Sequence, residues 1–143
     1  MISAGLGLSY RAYGEYESLQ AAIKDRQTKL NDKAEAKDLL EALGKLQTAA
    51  SAIGDGKSDA PGIGTLNRDS SRYLVMVESA DMRPPVSAQT AALEACKKLQ
   101  ANLEAWSKLN SGDLAAVNKQ LEASHLTALP VASGKTNSLV CAP

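Results

Sequence analysis

Gly56-Lys57-Ser58 and Gly134-Lys135-Thr136 are the first residues that suggest chemistry, because such a turn can wrap backbone N–H groups and a lysine around phosphates. A phosphate loop also needs an earlier glycine, and the positions that would supply it are Ser51 and Leu129. Neither turn lies between a strand and a helix, so nucleotide binding is not expected. Asp55, Lys57 and Asp59 alternate as calcium ligands do, yet the middle lysine and the missing downstream glutamate point to a solvated turn. His125 is the single histidine, and it follows the last expected helix without the strand-turn-helix elbow or oxyanion nest that a nucleophilic triad requires. It is read as a surface or helix-end residue, where the partial negative charge of a helix C-terminus favours its protonated form. Glu35, Glu41, Glu94, Glu104 and Glu122 fall on polar faces and make no inward Glu-x-x-His pair, which disfavours a di-iron carboxylate centre. Cys96 holds a core-facing helical position and is read most simply as a small buried hydrophobe. A bond from it to Cys141 in an oxidising compartment would staple the tail to the body. Trp106 is expected in helix packing rather than on the surface.

The elements that would position these residues follow from composition and period. The chain has 143 residues, 16 basic and 16 acidic groups, 24 alanines, 19 leucines and five aromatics without a phenylalanine. This is one domain's worth of chain with a small, aliphatic, helix-forming core. The neutral balance argues against sequence-independent nucleic-acid binding, and no apolar run approaches the roughly 20 residues of a membrane span.

Residues 1–8 lack a secretory signal's basic start and are expected to form a loose arm. From Ser9, Tyr16, Leu19, Ile23 and Leu30 share a helical face. Asp32 and Glu35 have the spacing of a capping box for a second helix, whose Leu39, Leu43, Leu46, Ala50 and Ile53 step by four, three, four and three. Gly44 within it suggests a close helix crossing. Residues 54–64, with four glycines and a proline, exclude a helix. A third helix is expected over 65–80, burying Leu66, Tyr73, Leu74 and Val77. Arg83-Pro84-Pro85 halts regular structure, and Ser87 is the expected N-cap of a long fourth helix. That helix carries Ala92, Cys96, Leu99, Leu103 and Trp106 on one face. Asp113 opens a short fifth helix with Leu114, Val117 and Leu121 aligned, and residues 130–143 read as a flexible tail.

The wording around the third to fifth helices is more specific than a generic bundle. Leu66-Asn67, Val77-Glu78-Ser79-Ala80-Asp81-Met82-Arg83-Pro84, the helix with Trp106, and Asp113-Leu114-Ala115-Ala116-Val117-Asn118 resemble the C-terminal helical region of large secreted Asp-box propeller proteins of the sortilin or sialidase-like type. Ile23-Lys24-Asp25-Arg26 extends the resemblance to the first helix, so that it covers residues 13 to 129. Two departures stand out: Pro85-Val86 intervene before Ser87, and His125 replaces a glycine before Leu126. The resemblance implies a helical appendage, since glycosidase chemistry in such proteins would belong to the propeller, and it suggests an extracellular or periplasmic setting.

The expectation is therefore an all-α, up-and-down antiparallel four-helix bundle with a short fifth helix over residues 9–129. Its expected role is non-catalytic packing or assembly, with a propeller domain or a second copy of the chain as partner and with no cofactor or metal. Asp81, Arg83, Trp106 and Asn118 are the structural or interaction candidates, the first two at a proline corner and Asn118 facing an inter-helix turn. The competing reading is a small-molecule or signal-binding bundle with a pocket lined by Tyr73, Met76 and Trp106. A hydrolase built on His125 is the third.

Overall fold

A computed structural model of the chain describes the backbone of residues 2–57, 60–66, 68 and 86–131, with the side chains of all of these except residues 2–9, 57, 60 and 88. The fold is all-α. Its helices are α1 (Ile2–Leu30), α2 (Lys37–Gly54), α3 (Val86–Ser111) and α4 (Asp113–Ala123). A 3₁₀ turn, Ala34–Ala36, precedes α2, and the two-residue strands β1 (Gly56–Lys57) and β2 (Ala60–Pro61) pair antiparallel after it.

Periodicity decides which faces are buried. Ala12, Tyr16, Leu19, Ile23 and Leu30 bury one stripe of α1, and Leu39, Leu43, Leu46 and Ala50 the matching stripe of α2. The two helices run antiparallel: Tyr16 meets Asp55 just past the end of α2, while Gln20 donates to the Gln47 carbonyl at 3.2 Å and Gln27 to the Gln47 side chain at 3.3 Å. Helix α3 packs on both with Cys96, Leu99, Leu103, Trp106 and Leu109, Ala92 being buried on the same helix, and α4 closes over α2 and α3 with Leu114, Val117 and Leu121. Burying each large aliphatic side chain contributes roughly 1.5–3 kcal/mol, so these stripes dominate stability.

Several boundaries differ from expectation. Helix α1 begins at Ile2, so the stretch read as a loose arm is helical from that residue. Gly5 and Gly7 each cost about 1 kcal/mol there, but extending an established helix avoids the cost of a new nucleus. The Asp32–Glu35 box does not form, because the chain tightens into the 3₁₀ turn and the cap position falls at Ala36 without a side-chain hydrogen bond. Gly44 has open space beside it rather than a crossing helix; the close approach is at Gly54, against the Tyr16 ring. Helix α3 starts at Val86, which places Ser87 inside the first turn instead of at the cap. Residues 63–66 are helical, beginning before the expected Thr65, and the rest of the expected third helix lies outside the described residues, as does the tail beyond Val131.

The glycine-rich connection forms a tight clasp. Gly56 adopts φ 86°, a left-handed conformation that favours glycine, and the Gly62 backbone lies directly on that of residues 54–56. Asn102 on α3 secures it by donating to the Pro61 carbonyl at 2.8 Å.

The chain after α4 is held with equal definition. The Leu126 N–H returns to the Leu121 carbonyl at 2.8 Å and the His125 N–H to the Glu122 carbonyl at 3.0 Å, a Schellman-type ending with His125 left-handed at φ 60°. Arg26 on α1 then donates to the Thr127 carbonyl at 2.9 Å. Asn118 on α4 pairs with Leu129 in both directions, accepting its N–H at 2.7 Å and donating to its carbonyl at 3.2 Å.

Candidate functional site

A cavity of about 430 Å³ lies where α1, α3 and the segment after α4 meet, lined among the described residues by Gly14, Glu15, Ser18, Trp106, Pro130 and Val131. Each wall has a local cause. Glu15 and Ser18 stand beside the apolar stripe of α1, flanking Tyr16 and Leu19. Trp106 is on the buried face of α3, 1% exposed, and its ring meets the Tyr16 ring edge-on at 6.3 Å and 82°. Pro130 and Val131 reach the cavity because Asn118 fixes Leu129, which is itself 2% exposed.

The polar atoms at this cavity are unusual. Both carboxylate oxygens of Glu15 and the indole N–H of Trp106 are out of contact with solvent and have no hydrogen-bond partner. Buried polar groups in folded proteins are almost always paired, and each orphan costs on the order of 1–3 kcal/mol. With essentially no accessible area, these three atoms do not face the cavity, whose accessible walls are formed by other atoms of Glu15 and Trp106 together with Gly14, Ser18, Pro130 and Val131.

A second cluster surrounds the end of α2. Tyr16 donates to Asp55 Oδ2 at 2.6 Å and Tyr13 to Asp55 Oδ1 at 3.2 Å, with the tyrosine rings 5.5 Å apart. Burial, reinforced by the Asp55 carboxylate, pushes both phenols above the ordinary tyrosine value of 10.0. The cluster locks two helices together. On the outer face of α1, Lys29 and Arg26 pair with Asp25 and hold its carboxyl below the usual range, Lys29 contributing most. A wider and more open groove between α1 and α2 is lined by Gln20, Lys24, Gln47, Thr48 and Ser51.

Among the residues singled out from sequence, Trp106 lines the cavity and Asn118 fixes one of its walls, while Asp81 and Arg83 lie outside the described residues, as do Tyr73 and Met76. His125 is exposed at the end of α4. Cys96 is disulfide-bonded, and the sequence's only other cysteine, Cys141, lies outside the described residues. Glu15 is a residue that the sequence alone did not single out. The available signal was its place three residues after Ala12 and four before Leu19, at the margin of the stripe. Among the described residues no group of three His, Cys, Asp or Glu side chains is placed to hold a metal ion. The chain matches no protein family, curated protein or solved structure.

Proposed function

We propose that the chain is a non-catalytic helical module acting in packing or assembly, as its likeness to the C-terminal helical region of secreted Asp-box propeller proteins implies. In this reading the helices stand as an up-and-down antiparallel four-helix bundle, with residues 65–80 as the third member and α4 as the short fifth helix. The partner is a propeller domain or a second copy of the chain. The disulfide at Cys96 supports an oxidising setting, extracellular or periplasmic, because such bonds are rare where thiols are kept reduced.

The observation that carries this reading is the length of α1. Helix α2 ends beside Tyr16, whereas α1 continues for the further residues Ile2–Glu15, roughly 21 Å at the helical rise. Ala12 is buried there, but Tyr10 is 63% exposed, and the sequence before it includes Ile2, Leu6 and Leu8. An exposed large aromatic on a helix that runs past the end of α2 suits a partner's surface. The test is solution mass by light scattering over a concentration series, for the whole chain and for a variant lacking residues 1–9. Association that rises with concentration and disappears on truncation supports assembly through α1. A cooperatively melting monomer, unchanged by truncation, counts against it.

The cavity beside Trp106 favours a second reading, a small-molecule or signal-binding bundle. Ligand-dependent thermal stabilisation tests it, because a ligand that binds only the folded chain raises its apparent stability.

A further inference from the structure

We propose that Trp106, Tyr16 and Tyr13, with Asp55 as their shared base, form a relay that carries a one-electron oxidation from the buried core to the edge of the fold. The three rings are consecutive neighbours: Tyr16 meets Trp106 edge-on with centroids 6.3 Å apart, and Tyr13 follows at 5.5 Å. They run from inside to outside, since Trp106 is 1% exposed, Tyr16 is 5% exposed and Tyr13 is half-buried. Their proton partners are unequal. The Trp106 indole N–H is buried with no acceptor among the described residues, so an oxidised indole keeps its proton and stays a radical cation, the stronger oxidant of its two forms. Tyr16 instead donates to Asp55 Oδ2 at 2.6 Å and Tyr13 to Asp55 Oδ1 at 3.2 Å, so each phenol can give up its proton as its electron leaves. The oxidation therefore runs downhill from Trp106 to the tyrosines.

The relay starts when a one-electron oxidant, a photoexcited acceptor or an oxygen-centred radical, removes an electron from the Trp106 indole. An electron then passes from the Tyr16 ring to the indole while the Tyr16 phenolic proton moves to Asp55 Oδ2. This leaves neutral Trp106, a neutral Tyr16 phenoxyl radical and a protonated Asp55. In the second step an electron passes from Tyr13 to Tyr16, Oδ2 returns its proton to the Tyr16 oxygen, and Oδ1 takes the Tyr13 proton. Asp55 stays protonated and the radical rests on Tyr13. There a soluble one-electron reductant such as ascorbate returns the electron, and Asp55 returns the proton. The benefit falls on the core. Trp106 is the largest of the fully buried side chains, and a permanently oxidised, enlarged ring in its place would overpack the interior.

Trp106 is the only tryptophan of the sequence, so light at the red edge of the indole absorption, where tyrosine does not absorb, starts the relay at one known ring. The whole disulfide-bonded chain is photoionised there by a laser pulse, with nitrate present to capture the ejected electron, and transient absorption follows the indolyl and phenoxyl bands. The expected result is decay of the first and rise of the second at one first-order rate, independent of protein concentration. Tyr16→Phe keeps the ring contact but removes the oxidisable phenol, and Asp55→Asn removes the base; each should slow the transfer about tenfold or more. Tyr10 and Tyr73 remain in both variants, so a phenoxyl signal that rises at the unaltered rate without Tyr16 or without the Asp55 carboxylate overturns the relay. Indolyl decay with no phenoxyl rise in the unaltered chain overturns it too. Tyr13→Phe should preserve the first step and make the radical markedly slower to react with added ascorbate; equal reactivity overturns the second step. Should the variants fail to fold by circular dichroism, transfer of the unaltered chain into heavy water is decisive. A step that moves the phenolic proton slows there, and an unchanged rate sinks the role of Asp55.

Discussion

His125 sits in a conformation that its side chain disfavours. Its φ of 60° places it at the left-handed residue of a helix ending, and a non-glycine residue there pays roughly 1–2 kcal/mol. The surrounding hydrogen bonds from the 125 and 126 amides are made by backbone and survive substitution. His125→Gly is therefore expected to stabilise the chain by about 1 kcal/mol, less the added entropy of the unfolded glycine, as read by urea unfolding. A loss of stability would mean that the imidazole makes a contact of its own. The tyrosines around Asp55 give a second test, through pH. Because folding raises both phenol values above 10.0, their contribution is complete below that pH and is lost as pH climbs through the raised values. Stability should fall as pH rises through and beyond 10.0, and Tyr16→Phe should flatten the fall while costing on the order of 1 kcal/mol near neutrality. An unchanged slope in that variant would remove Tyr16 from the explanation.

The segment after α4 shows how a single side chain can stand in for an element. Residues 124–131 have neither helix nor strand, yet Asn118 gives Leu129 the two hydrogen bonds that a neighbouring strand would give. Asn118→Ala leaves the buried N–H and carbonyl of Leu129 unpaired and should cost about 2–4 kcal/mol. Asn118→Asp keeps the acceptor and loses the donor, so it should fall between the two in the same unfolding series. The clasp after α2 is a second such device. A methyl at Gly62 would drive into the backbone of residues 54–56, and Gly62→Ala should destabilise by roughly 2–3 kcal/mol, against little change for Gly44→Ala in open space. These two elements also mark where sequence reasoning stops. The stripes of α2 and α3 were legible because period alone selects Leu43, Leu46, Leu99 and Leu103 for burial. Nothing local announces that Gly62 lies on Gly56, or that Glu15 turns its carboxylate out of solvent beside a stripe edge. Those facts depend on which parts of the chain come together, and a single sequence records that only through the helices that bring them there.

Among the described residues the interior is mainly leucine and alanine, with a covalent constraint at Cys96. Ten large side chains among the described residues, Trp106, Ile23, Ile63 and seven leucines, are essentially without solvent contact, and they draw on α1, α2, the turn at 63–66, α3, α4 and the segment after it. Cooperative unfolding is the expected behaviour of such a shared interior. The disulfide at Cys96 adds a constraint of another kind, because it acts on the unfolded chain by closing a loop to the only other cysteine, 45 positions away in the sequence. On the chain-entropy view a loop of that length contributes about 4 kcal/mol. Cys96→Ala should thus lower stability by roughly that amount, with a small added loss from the buried side chain, while leaving helicity by circular dichroism nearly unchanged. Reduction of the unaltered chain should reproduce most of the loss, since it opens the same loop without altering the core face of α3. If reduction leaves the unfolding midpoint where it was, then the helices alone hold the fold, and the argument for an oxidising setting loses its physical footing.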